Sequence, residues 1–226
     1  MRAKVCLTAL FALIAGSSPC GVTSPRGAGS ASQDVSDAAA VARAIQERYD
    51  SIRSFRARFV QIYRSAFSED QESGTLYMKK PGKMRWEYAS PAGKLFVTDG
   101  LKGYFYVPKD KQVFVSDWRA DSASLPLLFL VGEGNLTRDF DIAVSVSEST
   151  RAGGNLVLRL LPRTENSAFK EILLEVQQPG AAIVRLAVIE QSGNRNDYLL
   201  RSFQENVPVP DERFRFKIPK GVEVIE

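Results

Sequence analysis

Hydrophobic and polar positions alternate most regularly between residues 74 and 88, which read G-T-L-Y-M-K-K-P-G-K-M-R-W-E-Y. Alternation with a period of two predicts β-strands, and Pro81 and Gly82 supply the backbone angles that a turn requires. The stretch therefore predicts a β-hairpin with one apolar and one polar face. The apolar face carries Leu76, Met78, Met84, Trp86 and Tyr88. Such a face needs a cover, which is either a helix of the same chain or a ligand.

Similar alternation recurs every eight to twelve residues and predicts a meandering antiparallel sheet of about eleven strands. The first strand covers residues 55–64, where Phe55 and Phe59 lie on its apolar face, and residues 68–71 are predicted to form a polar loop before the hairpin. A short final strand is predicted after Val222. Further strands are predicted at residues 140–147, 155–161, 169–176, 183–190, 197–205 and 213–217.

Two segments have the pattern of helices. Val41, Ile45, Tyr49 and Ile52 recur at helical spacing after Ser36 and Asp37, either of which can cap a helix N-terminus, so this helix presents one apolar stripe. The second helix runs from residue 125 to residue 131, between the start and stop signals Pro126 and Gly132. Its apolar residues are Leu127, Leu128, Leu130 and Val131. It forms either a buried turn of the core or a lid over an apolar cavity.

The length of 226 residues suits one domain, preceded by an export signal. Arg2 and Lys4 precede an apolar run to Ala15, which is too short for a membrane span. We therefore assign residues 1–31 to a signal peptide and the start of a Ser- and Gly-rich tether that continues to residue 37. Residues 32–226 are assigned to the folded domain. Cys20 leaves lipidation open, although Pro19 precedes it where a small residue is expected.

The composition excludes several kinds of function. The chain has no histidine, and its two cysteines, Cys6 and Cys20, lie in the leader, which removes His-based triads, cysteine nucleophiles, disulfides and most zinc sites from the folded domain. Three of the thirty basic residues also lie in the leader, and the remaining 27 nearly balance 26 acidic residues, so no nucleic-acid partner is expected. No catalytic motif, metal site or cofactor motif is found, and the protein is not expected to be an enzyme.

Five segments, taken together in order and spacing, resemble the periplasmic outer-membrane lipoprotein carrier proteins, the LolA family, over residues 38–224. They are S-F-R-A-R-F-V-Q (54–61), the hairpin (74–88), V-T-D-G with G-Y-F-Y-V-P (97–108), L-P-L-L-F-L (125–130) and F-R-F-K-I-P-K-G-V (214–222). The resemblance implies a mainly β fold, an unclosed antiparallel β-barrel whose concave apolar face is covered by short helices.

The resemblance also implies a function in the periplasm. A monomeric carrier would accept triacylated lipoproteins from an inner-membrane ABC exporter and transfer them to an outer-membrane receptor, without binding a nucleotide itself. The expected acyl-chain-binding residues are Phe55, Phe59, Leu76, Met78, Met84, Trp86 and Tyr88. The expected lid residues are Val41, Ile45, Tyr49, Leu127, Leu128, Leu130 and Val131. Lys80 stands where the family often has an arginine that latches the lid, and Arg85 is a second candidate for that role.

Four alternatives remain open at this stage. The chain could be an outer-membrane receptor of the same fold anchored at Cys20, or a carrier of another lipid-linked cargo. It could be a periplasmic sensor or anti-sigma partner, although such proteins usually carry a transmembrane segment and none is found after residue 20. A lipid hydrolase would need reaction machinery that the sequence lacks.

Overall fold

The computed structural model describes residues 30–118, 130, 134–145, 154–164, 167 and 169–226, which form one large sheet with few helices. The helices are α1 (Ser30–Ser51), α2 (Leu136–Asp139) and a 3-10 helix (Asp211–Phe214). The strands are β1 (Ser54–Arg64), β2 (Glu69–Lys79), β3 (Lys83–Ser90), β4 (Leu95–Thr98), β5 (Lys102–Val107), β6 (Gln112–Asp117), β7 (Phe140–Val144), β8 (Leu156–Pro162), β9 (Phe169–Gln177), β10 (Ala182–Glu190), β11 (Arg195–Glu205) and β12 (Glu223–Ile225).

Over the described residues, all twelve strands belong to a single sheet in the order β12-β6-β5-β4-β3-β2-β1-β11-β10-β9-β8-β7. Strands β1 to β6 form one meander and β7 to β11 form a second, and the antiparallel pairing of β1 with β11 joins them. Among the described strands, only the short pair β6–β12 is parallel. Because β7 and β12 are edges that do not pair with each other, the sheet does not close. The predicted unclosed antiparallel barrel is confirmed.

Helix α1 covers one face of the sheet, which we call the inner face, and packs against β7 and α2. Its residues Ala38, Ala42, Ile45 and Tyr49 are at most 1% exposed, whereas Val41 is only partly buried beside them. The three-to-four-residue spacing of these positions places them on one side of the helix, and the two alanines allow its backbone to approach the sheet closely. The inner face and α1 therefore enclose one continuous apolar core.

Helix α1 begins at Ser30, six residues before the predicted start at Ser36 or Asp37. The last part of the predicted tether is thus helical. The physical reason is that the tether contains no Gly or Pro after Gly29, and the intervening Ala and Gln residues favour a helix. Ser36 and Asp37 therefore lie within the helix and do not cap its N-terminus.

Two strand predictions also need correction. Residues 69–71 belong to β2 instead of a loop, because this strand pairs with β1 along its full length and the Arg64 guanidinium contacts the Glu69 carboxylate at 2.7 Å across the ladder. Residues 213–217 are not a strand: they contain the end of the 3-10 helix and then an extended stretch. Their alternation is real, since Phe214 is buried and Arg215 is exposed, but it reflects packing on the sheet without ladder pairing.

The C-terminal segment, residues 206–226, crosses the outer face of the sheet before β12 pairs with β6. The Lys79 ammonium lies 2.7 Å from the Asp211 carboxylate, and the Arg85 guanidinium donates to the carbonyl of Arg213 at 3.0 Å. Phe214, which belongs to this segment, is 1% exposed. Outward-facing basic residues of β2 and β3 are thus occupied in holding the C-terminal segment.

The predicted second helix, residues 125–131, falls mostly outside the described residues, which exclude Leu127, Leu128 and Val131. Leu130 is described, is 3% exposed and belongs to the core. The sequence pattern did not predict α2, which is a single turn. Its N-cap Asn135 accepts a hydrogen bond from the backbone N–H of Arg138. Among the described residues, no helix is long and apolar enough to cross a membrane.

Candidate functional site

The apolar residues predicted to bind a ligand come together on the inner face of β1, β2 and β3. Ladder pairing places Met78 between Phe55 of β1 and Met84 of β3. Two residues further along β2, it places Leu76 beside Trp86. These side chains alternate with outward-facing polar ones, as the period of a strand requires. Phe55, Phe59, Leu76, Met78, Met84 and Trp86 are each at most 5% exposed, and Tyr88 is partly buried beside them.

Aromatic rings form the centre of this face. The Phe59 ring meets the Trp86 ring edge-on at 4.7 Å between centroids and the Tyr88 ring at 5.1 Å. Trp86 also meets Tyr198 of β11 at 5.5 Å. Edge-to-face pairs of this kind hold rings in fixed orientations. Tyr198 was not predicted as a site residue, although its place in an alternating strand could have revealed it.

Gly74 leaves the space that the Phe59 ring occupies. A Cβ atom at this position would lie 2.0 Å from the carbonyl oxygen of Glu87 and 2.8 Å from the Phe59 ring. We expect Gly74→Ala to destabilise the fold by roughly 1–3 kcal/mol or more, because backbone and ring must both move. Urea unfolding measures this. Gly103→Ala is the matched control, since its Cβ would meet the rotatable Ser116 hydroxyl at 3.0 Å and would lie at ordinary contact distance, 3.7 Å, from the Phe96 and Trp118 rings. Equal losses in the two variants would contradict the expectation.

Lys80 connects the hairpin to helix α1. Its ammonium donates a hydrogen bond to the backbone carbonyl of Tyr49, in the last turn of α1, and its own backbone N–H donates to the carbonyl of Arg53 at 2.8 Å. Partial burial lowers the pKa of Lys80, and the Asp50 carboxylate opposes that shift. A cation at the C-terminal end of a helix interacts favourably with its exposed carbonyls. This arrangement is the geometry that a latch would need, and the latch role of Lys80 stays a prediction.

Arg85, the second latch candidate, does not lie near the helix. Its guanidinium donates to the carboxylate of Glu87 at 2.6 Å and to the carbonyl of Arg213 at 3.0 Å, both on the outer side of the sheet. The reason is the strand period: Met84 and Trp86 point inward, so Arg85 between them points outward. The structure gives it a role in holding the C-terminal segment.

A small number of polar contacts connect the C-terminal half of α1 to the rest of the described chain. The Tyr49 hydroxyl accepts a hydrogen bond from the backbone N–H of Ile183 at 3.2 Å, and burial raises the pKa of Tyr49 to about 12, so its proton is retained. The side-chain oxygen of Gln46 accepts from the backbone N–H of Leu136 at 2.9 Å. Arg48 contacts Glu205. Arg48 also donates to the carbonyl of Gly180 at 2.6 Å. Beside these polar contacts, the apolar side of the helix packs on the inner face, and a competing apolar molecule can replace that packing.

The apolar side chains of β1, β2 and β3 form the candidate binding surface. The described residues contain no cluster of His, Cys, Asp or Glu that could hold a metal ion. The carboxylates of Glu69 and Glu72 are engaged in ion pairs, Glu69 with Arg64 and Glu72 with Lys94. The inner face of β1, β2 and β3 is an apolar surface that α1 covers.

Comparison with known proteins identifies the family. The family model described as "Outer membrane lipoprotein carrier protein LolA" matches residues 50–217. The chain belongs to the LolA family. A relative named outer-membrane lipoprotein carrier protein from Legionella pneumophila strain Paris is 32% identical over 82% of this chain and 89% of its own length. One of the same name from Methylococcus capsulatus is 27% identical over 78% of this chain and 83% of its own.

A solved structure outside that set of names has the same fold. An uncharacterized conserved protein from Thermus thermophilus aligns with a TM-score of 0.50 and 13% identity, covering 83% of this chain and 97% of its own. At that identity the match concerns the fold alone. It agrees with the half-barrel architecture of the LolA family.

Proposed function

We propose that this chain is a periplasmic carrier that binds the acyl chains of lipoproteins released by an inner-membrane ABC exporter and transfers them to an outer-membrane receptor. The observation that carries the proposal is the apolar inner face of β1, β2 and β3 beneath its cover α1. Membership of the LolA family and the names of the Legionella and Methylococcus relatives support it. We further propose that it acts as a monomer on triacylated cargo and performs no catalysis.

The binding energy comes from exchanging one apolar partner for another. Burying an acyl chain contributes about 0.8 kcal/mol per methylene. In the closed arrangement Ile45 and Tyr49 already fill part of the inner face, so a chain gains only the difference between its own burial and that of the helix. A carrier needs this reduced net binding free energy, because cargo that is held too tightly cannot be released to the next protein.

A photo-crosslinking experiment tests which face holds the cargo. Benzoylphenylalanine at position 84 or 86 points inward, and the same probe at position 85 or 87 points outward on the same strand. We expect crosslinks to a triacylated lipoprotein from positions 84 and 86 only. The outward positions serve as matched controls because they are adjacent in sequence and equally close to the hairpin turn.

The same experiment can contradict the proposal. Crosslinks from positions 85 and 87 alone would place the cargo on the outer face, and an absence of crosslinks from all four positions would remove this hairpin from cargo binding. The intact mass of the exported protein tests the alternative of a receptor anchored at Cys20, because an acylated Cys20 would add the mass of its lipid.

A further inference from the structure

One end of the inner face is polar, in contrast to the apolar end beside Lys80. Four side chains, which we call the polar end, form a connected group there: Gln61, Tyr88, Asn196 and Tyr198. The Tyr88 hydroxyl donates to the side-chain oxygen of Gln61 at 3.2 Å. The Tyr198 hydroxyl accepts from the side-chain nitrogen of Gln61 at 3.4 Å and from that of Asn196 at 2.9 Å. Ladder pairing of Gln61 with Tyr198 places the group next to Phe59 on the same face.

One acceptor and one donor function of this group are left unpaired among the described residues. Asn196 is 3% exposed, and its side-chain oxygen is buried without a partner. Within the same part of the chain, the Tyr198 hydroxyl accepts two hydrogen bonds but has no acceptor for its own proton. Buried polar groups in proteins are almost always paired, so an unpaired acceptor beside an unpaired donor indicates a ligand that brings the complementary pair.

We propose that the polar end binds a secondary amide of the acylated N-terminal cysteine of the cargo. The amide N–H would donate to the Asn196 oxygen, and the amide C=O would accept the Tyr198 proton. The acyl chains would then run from this point along the apolar part of the inner face toward Met78. This inference rests on the proposed carrier function and adds the orientation of the cargo.

The charges around the polar end favour a neutral group over an anionic lipid headgroup. Burial raises the pKa of Tyr198 well above its ordinary value, and the nearby carboxylates of Glu72 and Glu190 raise it further, so the phenol stays protonated. The neighbouring cation, Lys94, is already paired with Glu72 at 2.5 Å. A phosphate or carboxylate would therefore lose its hydration here without gaining an unshared counter-charge from this pair, whereas a neutral amide needs none.

Three probes and two variants test the inference in the full exported chain. The variants Tyr198→Phe and Asn196→Leu remove the donor and the acceptor while they retain most of the side-chain volume. The probes are a tripalmitoyl-cysteinyl peptide, the dipalmitoyl peptide that lacks the N-acyl amide, and the fluorescent hydrocarbon-like dye 1-N-phenylnaphthylamine, which has no amide. Tyr106→Phe is the matched control, because Tyr106 packs against Phe216 on the outer face.

We expect each variant to bind the tripalmitoyl peptide about ten-fold more weakly, with dye binding unchanged, because a buried hydrogen-bonding group loses its partner. If binding of the dipalmitoyl peptide is unchanged in the variants, the N-acyl amide is the bound group. If its binding is weakened as much as that of the tripalmitoyl peptide, the first peptide amide is the bound group. Both results support the inference. Unchanged peptide binding, or equal losses for all three probes, would overturn it and leave the carrier function standing. A wild-type protein that binds the dye but neither peptide would overturn both.

Discussion

Replacing Lys80 by Leu is expected to make the protein hold a triacylated lipopeptide more tightly and transfer it more slowly. The Lys80 ammonium bonds to the Tyr49 carbonyl in the closed arrangement, so this contact favours a cover that stays closed. A ligand that needs the open arrangement must overcome whatever free energy stabilises the closed one. A hydrogen bond from a charged group contributes about 1.5–3 kcal/mol, which corresponds to an increase in affinity of roughly ten-fold or more.

Two further variants separate a latch from a general effect of removing charge. Lys80→Arg retains a cation and a donor at the same place and should transfer cargo nearly as well as the wild type. Lys79→Leu is the matched control, because the neighbouring Lys79 points outward and contacts Asp211 and the carbonyl of Val209. The measurements are the Kd for the lipopeptide and its rate of transfer to acceptor membranes. Unchanged values in Lys80→Leu would remove Lys80 from the mechanism.

The parts of the fold that depend on local alternation could be predicted from the sequence. Met84 and Trp86 alternate with Arg85 and Glu87, and a strand has a period of two, so their division between an inner and an outer face followed directly. The apolar stripe at Ile45 and Tyr49 likewise identified the side of α1 that covers the sheet. The family resemblance then supplied the half-barrel, which the pattern alone could not distinguish from other antiparallel sheets.

The features that the sequence reading missed depend on contacts between distant residues. Nothing local in residues 213–217 shows that Arg213 offers its carbonyl to Arg85 instead of joining a ladder. Gln61 and Tyr198 are 137 positions apart in the chain, and only the pairing of β1 with β11 brings their side chains together. Asn196 falls just before the predicted strand 197–205, and no local signal shows that it is buried.

A buried charge network on the outer face also depends on contacts between residues that are distant in the sequence. Arg185 lies between two carboxylates, with Glu175 at 2.9 Å and Asp197 at 2.8 Å. Asp197 also contacts Arg64 and Arg195, each at 2.8 Å. The side chains of Arg185 and Asp197 are at most 5% exposed. Strands β1, β9, β10 and β11 contribute to the network, which therefore crosses the junction between the two meanders.

Arg185→Leu is accordingly expected to cause the largest loss of stability among the substitutions considered. Removing one partner of a buried ion pair leaves an uncompensated charge and typically destabilises a protein by about 3–5 kcal/mol. Urea unfolding measures the loss. Arg201→Leu is the control, because Arg201 is exposed on β11. Adding Glu175→Gln to Arg185→Leu should recover part of the loss, since it removes the carboxylate that Arg185 leaves without a cation, whereas Asp197 keeps its contacts with Arg64 and Arg195. A loss below about 1 kcal/mol would mean that the network behaves as a surface pair.

The pH dependence of stability gives an independent check on the same network. Burial alone raises the pKa of Asp197, but the hydrogen bonds and charges of Arg195 and Arg185 outweigh burial and hold that pKa below its ordinary value. A lowered carboxyl pKa in the folded state contributes stability that is present above the unfolded pKa of about 4 and is lost as the pH falls through the folded pKa. Arg185→Leu weakens the interactions that lower the pKa, so the variant should lose less additional stability on acidification than the wild type. Parallel stability curves for the two proteins below about pH 4 would show that Arg185 does not contribute to the ionisation of Asp197.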